Sequence, residues 1–435
     1  MKTHEVFGMQ PDFRPASYVD RLSLDASLQR LIERKQQHIA IRGASKCGKS
    51  WLRQKILENP IIVQCRLDKA ASQIYVDALS QLGIRLEIER ANEKTFKGTV
   101  TAEGEFAIKL LAKAKAKGEL EASKVSTTTD KPVGQDVDDL RFIVDILRAS
   151  ERILVIEDFH YLSVEERTKF AFDLKTLWDY KFLVVIIGVW SLDNMLLSLN
   201  PDLSGRIEEL SVSWPVEDLK SILDMGGKHL NITFTDQFKN TIAEISFGSA
   251  GILQSLTLKA LDEMKIYERP GLFSKSIESL SQVKPSDAIE GAAMAYAEQL
   301  NPLYQEFAKR VASGIRERKN STGIYAHAIA VILEGSDAEL TQGLLAQEIF
   351  KKANKRQPRV QLSNLKAVLQ KFEELQVDKE GRGLILAYNP ATEKVTAVDR
   401  QLLLYRRYRT VSWPWEDLIK EADLDPQTFS GKDGT

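Results

Sequence analysis

The sequence has little cysteine, no long apolar run and almost no net charge. Cys47 and Cys65 are its two cysteines, which excludes a disulfide scaffold and a zinc site built from cysteines and fits a reducing cytoplasm. The longest uninterrupted apolar run, Phe182–Trp190, has nine residues, whereas a membrane-spanning helix needs about 20. Segment 1–14 is polar and lacks the apolar stretch of a secretory signal. We therefore expect a cytoplasmic protein that does not span a membrane.

The remaining composition is typical of a folded protein. Its 435 residues are 43% hydrophobic and 28% charged, which suits two to four globular domains of about 100–200 residues each. The net charge of −1 hides an asymmetry, because segment 301–410 has 19 Lys and Arg against 12 Asp and Glu, whereas segment 411–435 has 2 against 6. A basic region on a mildly acidic body can attract a polyanion.

Short apolar strands alternate with amphipathic helices in the first half of the chain. The pattern predicts strands at 38–42, 61–67, 153–156 and 182–189, and helices at 18–34, 72–82, 137–149 and 164–180, with a further helix from 51. This order favours a parallel α/β sheet, in which strands are buried on both faces. Segment 86–136 interrupts the pattern with Thr- and Lys-rich stretches around a helix at 106–117. We interpret this segment as a surface insertion, with an arm that contacts a partner as the alternative.

Strand patterns fade after residue 216. Segment 216–264 predicts helices with turns at 226–227 and 248–251. After 283 the pattern changes to three helices, at 324–333, 342–353 and 361–375, then two strand-like runs at 383–387 and 394–398, and a basic segment at 402–409. Three helices followed by a β-hairpin is the order of a winged helix-turn-helix.

A glycine-rich loop follows the first predicted strand. It matches G-x-x-x-x-G-K-[ST] in full and consists of Gly43, Ala44, Ser45, Lys46, Cys47, Gly48, Lys49 and Ser50, before a helix from Trp51. The two glycines let the backbone wrap closely around phosphate, so that N–H groups and the positive end of the helix face the anion. Lys49 is then placed for the β- and γ-phosphates and Ser50 for Mg²⁺. We interpret Cys47 as a small filler of this Walker A loop, with redox control as the alternative.

Two carboxylates end the strand predicted at 153–156. The segment reads ILVIEDFH, with four apolar residues before Glu157 and Asp158, which is the pattern of a Walker B strand. By position Glu157 takes the Mg²⁺ role, and Asp158 is the base that polarises the attacking water. The usual order is Asp then Glu, and the shorter base at 158 favours slow hydrolysis. We interpret His160 as a turn residue, with a catalytic role as the alternative.

These motifs, in this order, resemble the AAA+ ATPases, most closely the bacterial replication-initiator, transposition-regulator and STAND-type branch. The resemblance covers about 15–265 and 300–410, and it implies a parallel-sheet P-loop core with a helical lid and a C-terminal winged-helix domain. The expected boundaries are 1–215 for the core, 216–283 for the lid, 284–410 for the winged helix and 411–435 for an acidic tail. ATP and Mg²⁺ are the implied cofactors, and a homo-oligomer is the implied assembly.

The resemblance also implies residues near the adenine of the nucleotide and residues at the sensor positions. Tyr18 and Arg21, which follow Pro15, stand where the family places a segment near adenine. Ser191 or Asn194 stands at the strand end that carries a polar sensor. The lid segment 247–256 lacks the Arg that serves as a second sensor, which favours a nucleotide-gated switch over a fast motor.

Arg206 stands where the family places an arginine finger. Such a residue stabilises the charge that develops on the γ-phosphate of a neighbouring subunit. An ion pair between Arg206 and Glu208 or Glu209 is the alternative.

Segment 351–366 contains six cations and no acid, namely Lys351, Lys352, Lys355, Arg356, Arg359 and Lys366. We expect them at the turn into the third helix of the winged helix and in its first turn, the element that faces the DNA major groove. A second cluster joins Arg406, Arg407 and Arg409 to two tyrosines. The alternatives are a contact with protein, including an autoinhibitory clamp, and a plain solvated face.

The sequence therefore predicts an ATP-binding, slowly hydrolysing switch. We expect it to assemble in its ATP state and to act on or with DNA, in replication, transposition or anti-phage defence. The alternative is a STAND-type sensor or scaffold that recruits or regulates a protein effector without binding DNA. A small-molecule kinase is disfavoured, because the chain shows no compact kinase lid and would leave the winged helix unexplained.

Overall fold

Strands and helices alternate in the first half of the chain, and helices dominate the second half. The computed structural model describes residues 1–91, 95–122, 139–190, 193–314, 323–376, 383–416 and 419. The strands are β1 (His38–Arg42), β2 (Ile61–Gln64), β3 (Ile84–Ala91), β4 (Thr95–Ala102), β5 (Leu154–Glu157), β6 (Val184–Gly188), β7 (Ile207–Ser211), β8 (Ile232–Thr233), β9 (Lys275–Ser276), β10 (Leu344–Leu345), β11 (Leu386–Asn389) and β12 (Lys394–Ala397). The helices are α1 (Thr3–Val6), α2 (Leu24–Arg34), α3 (Lys49–Ile56), α4 (Ala71–Ser80), α5 (Glu105–Ala122), α6 (Leu140–Ala149), α7 (Val164–Asp179), α8 (Met195–Leu199), α9 (Val216–Leu230), α10 (Asp236–Ile245), α11 (Ala250–Glu263), α12 (Ile277–Leu280), α13 (Pro285–Ser313), α14 (Ile324–Glu334), α15 (Asp337–Gln342), α16 (Ala346–Arg356), α17 (Leu362–Gln370), α18 (Phe372–Gln376) and α19 (Gln401–Tyr408).

The central sheet has five parallel strands in the order β2-β5-β6-β1-β7. Every residue of β5 and β6 is buried, as expected for strands with helices on both faces. The predicted parallel α/β fold is confirmed. Strand β7 was not predicted, because its sequence, IEELS, contains two glutamates and none of its residues is fully buried.

The register of the sheet brings the two predicted motifs to one edge. Ile39 of β1 and Val155 of β5 both pair with Val185 of β6, so the two strands run level with one strand between them. Just beyond this level, β1 ends at Arg42 and leads into the glycine-rich loop, and β5 ends at Glu157, which Asp158 follows. The two motifs therefore lie about 10 Å apart, two strand spacings, at the carboxyl edge where open α/β sheets bind their ligands.

The helix predicted at 18–34 begins only at Leu24. Before it lie two short 3₁₀ turns, Pro15–Ser17 and Arg21–Ser23, and Leu22 and Ser23 adopt left-handed backbone angles with φ of 52° and 53°. The apolar periodicity continues through this segment, but the backbone bends, and the side chains of Tyr18 and Arg21 are buried beside the glycine-rich loop.

The turn predicted at 226–227 is wrong, because both glycines lie inside α9. A Cβ on Gly226 would lie 2.2 Å from the ring of Phe7, and one on Gly227 would lie 2.5 Å from the carbonyl oxygen of Ile232. The glycines thus allow close packing against Phe7, just after α1, and against β8, and the chain turns at Asn231 instead.

A 29-residue helix, α13, that the sequence analysis did not single out joins the helical region to the C-terminal elements. It packs against α11 on one side and against α14 and α19 on the other. One apolar core consequently runs from Phe7 and α9 through α13 to Trp413 and Trp415.

The C-terminal elements contain the predicted helices and hairpin with shifted bounds. The helix predicted at 342–353 is α16, preceded by the short α15, and the one predicted at 361–375 is divided into α17 and α18. The hairpin β11–β12 pairs with β10 in a three-stranded antiparallel sheet. We refer to residues 323–376 and 383–409 as the C-terminal module.

The predicted insertion is described in part. Strands β3 and β4 form an antiparallel hairpin that leads into α5, while residues 92–94 and 123–138 lie outside the described residues. Most of the predicted acidic tail also lies outside them. In the described part of the chain, every helix is too short or too polar to cross a membrane.

Candidate functional site

The glycine-rich loop is shaped by close contacts at its two glycines. A Cβ on Gly43 would lie 2.6 Å from the carbonyl oxygen of Val212 and 2.8 Å from Cys47 Sγ. Gly48 lies immediately before α3, which begins at Lys49, and its φ of 86° is a left-handed conformation that favours glycine. The buried Cys47 side chain fills the inside of the loop beneath Gly43, as the sequence suggested. The loop therefore presents its backbone and the first turn of α3 to the carboxyl edge of the sheet.

The Lys49 ammonium lies within the loop. Its Nζ donates to the carbonyl oxygens of Gly43 and Ala44 at 3.0 and 2.8 Å. The same side chain borders a cavity of about 300 Å³, together with Ser45, Lys46, Gly48, Ser50 and Trp51. A cation and the N-terminal end of a helix thus face one cavity, which is the arrangement that binds a phosphate group.

The two carboxylates of the Walker B pattern have different surroundings. Glu157 is buried, and its Oε1 accepts a hydrogen bond from Arg53 Nε on α3 at 2.8 Å. Asp158 has a left-handed backbone with φ of 57°, which ends the strand and places its side chain on the cavity with Lys49. Burial and the neighbouring Glu157 raise the pKa of Asp158, and Lys49 opposes that rise. Only the second carboxylate therefore borders the same cavity as the loop.

Two oxygen-bearing groups on the cavity, on Ser50 and Asp158, suit a magnesium ion bound together with phosphate. The Ser50 hydroxyl and the Asp158 carboxylate both border the cavity and are oxygen donors of the kind that Mg²⁺ prefers. Mg²⁺ is usually held by one or two such protein groups, with the substrate phosphates supplying further ligands.

Tyr18 and Arg21 border the cavity from the N-terminal side. Arg21 donates to the carbonyl oxygens of Cys47 and Gly48 at 3.2 and 3.4 Å, and its guanidinium lies 4.4 Å from the centre of the Trp214 ring. Tyr18 donates its hydroxyl to Asp25, which also accepts from Lys55 at 2.5 Å. Both predicted residues are thus beside the loop, where Arg21 helps to hold its shape.

Segment 249–254, in the region predicted to be a lid, contacts the glycine-rich loop and the N-terminal segment, and the sequence indicated only its turn. The backbone N–H of Gly251, at the start of α11, donates to the carbonyl oxygen of Lys46 at 2.9 Å, and Ser249 Oγ donates to the same oxygen at 3.2 Å. A Cβ on Gly251 would lie 2.8 Å from Lys46 Cβ, so a larger residue there would push the helix off the loop. One turn later, the buried Gln254 donates to Ser17 Oγ at 2.9 Å. Small residues at 248–251, interpreted from sequence as a turn, are therefore also the point at which the start of α11 contacts the glycine-rich loop.

The C-terminal module reaches the loop directly, which the sequence did not predict. Ser45 donates its backbone N–H to the carbonyl oxygen of Val398 at 3.2 Å, and the Lys46 ammonium donates to Gln401 Oε1. Burial lowers the pKa of Lys46, and Asp399 opposes that change. Contacts between residues about 350 positions apart leave no local signal in a sequence.

Arg206 lies at the opposite edge of the sheet from the loop. Its carbonyl oxygen accepts from the N–H of His38, at the start of β1, at 2.8 Å. The guanidinium lies 4.8 Å from the centre of the Trp178 ring and donates to the carbonyl oxygen of Asp202. Glu209, one of its two candidate partners, pairs with Arg42 at 2.6 Å instead.

Of the two sensor candidates, Ser191 lies outside the described residues. Asn194 precedes α8 with a left-handed backbone, and its N–H donates to Glu209 Oε1 at 3.2 Å.

The basic segment lies mainly on a different helix from the one predicted. Lys351, Lys352 and Lys355 are exposed in the last turns of α16, the second long helix of the module, and α17 starts only at Leu362. Two of the other cations are engaged in ion pairs, Arg356 with Glu334 and Lys366 with Glu393 at 2.5 Å. Arg359 is exposed and donates to Gln357 Oε1 at 3.3 Å. The exposed lysines therefore form the main positive surface of this segment.

Comparison with known proteins supports the fold. No family model and no curated protein matches the chain. The Walker-type ATPase PABY2304 of Pyrococcus abyssi resembles it with a TM-score of 0.51 and 13% identity, over 92% of this chain and 99% of that one. The Orc1 protein of Aeropyrum pernix, solved in complex with DNA, gives a TM-score of 0.40 and 12% identity, over 98% and 97%. The STAND protein PH0952 of Pyrococcus horikoshii has a tetratricopeptide repeat sensor. It gives a TM-score of 0.36 and 13% identity, over 95% of this chain and 45% of that one.

At these identities a likeness shows the fold alone. The first likeness, the five-stranded parallel sheet and the loop at 43–50 together confirm the predicted parallel-sheet P-loop fold.

Proposed function

We propose that this protein is a nucleotide switch that binds ATP with Mg²⁺ and hydrolyses it slowly. The observation that carries the proposal is that one cavity is bordered by the glycine-rich loop, by Asp158, by the N-terminal segment around Tyr18 and by Gly251 of the predicted lid. A triphosphate in that cavity would touch the core and the lid at once. Binding would thereby favour one relative position of the two, which is how a nucleotide acts as a switch.

Each group on the cavity has a role in this proposal. Lys49 exchanges the carbonyl oxygens of Gly43 and Ala44 for the β- and γ-phosphates, and Ser50 provides an oxygen for Mg²⁺. The ion neutralises charge on the phosphates when it is bound. Asp158 would provide the second protein oxygen for Mg²⁺, and it orients and polarises the attacking water. We assign Glu157 to holding α3 through Arg53, in place of the Mg²⁺ role that its position in the sequence suggested.

Calorimetric titration with Mg-ATP tests this assignment. The wild-type chain should release heat with a micromolar dissociation constant, and Lys49→Ala should weaken binding by about 100-fold or more, since Lys49 contributes a charge-assisted contact to two phosphates. Lys228→Ala, which removes an exposed lysine from α9, is the matched control and should bind normally. Wild-type affinity in Lys49→Ala would refute the phosphate site.

We further propose that the ATP-bound form assembles through Arg206 and presents the C-terminal module, as a winged helix, to DNA. The supporting features are the position of Arg206 away from its own cavity and the exposed lysines 351, 352 and 355. The settings that suit such a protein are replication, transposition and defence against foreign DNA. Contacts of lysines with phosphates give affinity that depends on salt rather than on sequence.

DNA binding is testable by charge reversal. The variant with Lys351→Glu, Lys352→Glu and Lys355→Glu should lose about 10-fold or more in DNA affinity at low salt, and its affinity should fall less steeply with salt. A control with Lys228→Glu, Lys265→Glu and Lys309→Glu changes the net charge equally at exposed lysines elsewhere. Equal losses in both variants would show that only net charge matters.

A second candidate function is a STAND-type sensor or scaffold whose partner is a protein effector. The observation that favours it is the contact of the C-terminal module with the loop through Ser45 and Lys46, because a module in that position can act as a clamp on the nucleotide site. Absence of DNA binding at low salt, combined with ATP-dependent assembly on a protein, would support this function over the first.

A further inference from the structure

His160 borders the cavity that we propose to bind the nucleotide, whereas the sequence predicted a turn residue, with a catalytic role as the alternative. The residue lies in the 3₁₀ turn Phe159–Tyr161, which follows β5. The left-handed backbone of Asp158 bends the chain there, so that Asp158 and His160 border the same cavity as Lys49 and Ser50. His160 is therefore at the end of the cavity that holds the phosphate-binding groups.

A backbone hydrogen bond fixes the tautomer of the imidazole. The N–H of Val189, just after β6, donates to His160 Nδ1 at 3.2 Å. A nitrogen that accepts a hydrogen bond carries no proton, so the proton of the neutral ring is on Nε2. Because the Nδ1 edge faces β6 and the ring is half-buried, the edge that carries Nε2–H is left for the cavity.

The hydrogen bond at Nδ1 leaves the ring with one donor, Nε2–H. Such a donor needs an acceptor on the cavity side, and phosphate oxygens are strong acceptors.

The same ring also touches the region where the C-terminal module packs. Val189, whose N–H fixes the ring, packs in one apolar cluster with Ala387 and Val398 of the module. The Tyr161 ring lies 4.3 Å from the His160 ring, centre to centre, and a Cβ on Gly383 would lie 3.0 Å from the Tyr161 hydroxyl. His160 is thus connected to the C-terminal module through two neighbours, Val189 and Tyr161.

We propose that His160 donates its Nε2–H to an oxygen of the terminal phosphate of bound ATP, and so distinguishes the triphosphate from ADP next to the C-terminal module. This inference rests on the proposed function, because it needs a nucleotide in the cavity. It assigns to His160 the detection of the nucleotide state, for which segment 247–256 offers no arginine.

Two conservative variants separate this role from a structural one. In His160→Asn the amide oxygen can replace Nδ1 as acceptor for the Val189 N–H, but no donor reaches as far as Nε2. In His160→Gln the longer amide can place an N–H where Nε2 was. We would measure the affinity of the full chain for ADP and for the β,γ-imido analogue of ATP, both with Mg²⁺, by calorimetry. His229→Asn, at an exposed histidine on α9, is the control.

We expect His160→Asn to bind the ATP analogue about 10-fold more weakly with unchanged ADP affinity. His160→Gln should retain the wild-type preference to within about twofold. A wild-type preference in His160→Asn, or equal losses for both nucleotides in both variants, would overturn the proposal and show that the ring only packs. If the wild-type chain binds neither nucleotide, the proposed function itself is refuted, and this outcome is distinct from the other two.

A measurement on the wild-type protein covers the case in which the variants do not fold. Nitrogen NMR of the imidazole should show a neutral ring protonated at Nε2 at pH 7. The Nε2 signal should shift on addition of the ATP analogue and not on addition of ADP. A proton on Nδ1, or the same shift with both nucleotides, would overturn the proposal.

Discussion

The backbone N–H of Ser45, in the glycine-rich loop, donates to the carbonyl oxygen of Val398 at 3.2 Å. This bond joins the loop that we propose to bind phosphate to the C-terminal module. An N–H in such a loop is also a donor that a phosphate would use. The module and the nucleotide therefore have a group in common, and their binding to the loop should be coupled.

This coupling predicts an effect of Gln401, whose amide oxygen accepts from the Lys46 ammonium. Gln401→Leu removes that bond and should raise ATP affinity by about fivefold, because one hydrogen bond to a charged group contributes about 1.5–3 kcal/mol and part of it is kept by solvent. Calorimetry with Mg-ATP measures the change. Gln342→Leu, at an exposed position on α15, is the control. Weaker ATP binding in Gln401→Leu would mean that the module assists the nucleotide instead of competing with it.

The buried pair of Arg53 and Glu157 predicts a large effect on stability. Their side chains are 10% and 9% exposed and 2.8 Å apart. Glu157→Ala leaves the Arg53 charge without a partner and should lower the free energy of unfolding by about 3 kcal/mol. Urea unfolding of the nucleotide-free protein measures this loss.

The double variant with Arg53→Met and Glu157→Leu should recover most of that stability, since it leaves no buried charge. Asp224→Ala breaks the half-exposed pair with Lys239 and should cost less than about 1 kcal/mol. A similarly small loss in Glu157→Ala would mean that Glu157 is not needed for the position of α3, and its Mg²⁺ role would return.

Asp158→Asn should keep ATP affinity and lower the turnover rate by about 100-fold or more, because general-base catalysis commonly contributes 10²–10⁴-fold. Phosphate release under saturating Mg-ATP measures the rate. Glu157→Gln, which retains a hydrogen-bonding partner for Arg53, is the paired variant and should lose less activity. Turnover at the wild-type rate in Asp158→Asn would exclude it as the base.

Asp158→Asn should also stabilise the nucleotide-free protein at neutral pH. Burial and Glu157 raise the pKa of Asp158 in the folded state, so the ionised carboxylate is less favourable there than in the unfolded chain. A raised carboxyl pKa costs stability above that pKa, and the cost disappears as the pH falls below the unfolded value of about 3.9. The difference in midpoint temperature between Asp158→Asn and wild type should therefore be positive at pH 7 and shrink toward pH 4. A constant difference would place its origin in packing.

Arg206→Ala should retain ATP binding and lower turnover in the assembled protein by about 10³-fold, the range found for arginine fingers. If Arg206 acts on a neighbouring subunit, mixing Arg206→Ala with Lys49→Ala should restore part of the activity, because each variant supplies what the other lacks. No recovery, together with a lowered midpoint temperature in Arg206→Ala, would assign to Arg206 only the local contacts with Trp178 and Asp202.

The sequence by itself determined the parts whose signals are local. The order of strands and helices predicted the parallel sheet, because each apolar run carries its own periodicity. The loop at Gly43–Ser50 was recognisable because its glycines and Lys49 act within eight consecutive residues. The Glu157–Asp158 pair was found for the same reason, but which of the two borders the cavity was not, since that depends on the left-handed backbone at 158 and on Arg53.

Only the tertiary structure decided how distant segments meet at the loop. Gly226 was misread as a turn because Phe7, about 220 residues earlier, is what makes a glycine necessary there. The contacts of Gly251 and Val398 with the loop likewise join positions that no sequence period connects. His160 gained its place on the cavity through the Val189 hydrogen bond, which forms because β5 and β6 are neighbours in the sheet. Local chemistry thus specifies the motifs, whereas packing over long sequence distances determines which groups face the same cavity.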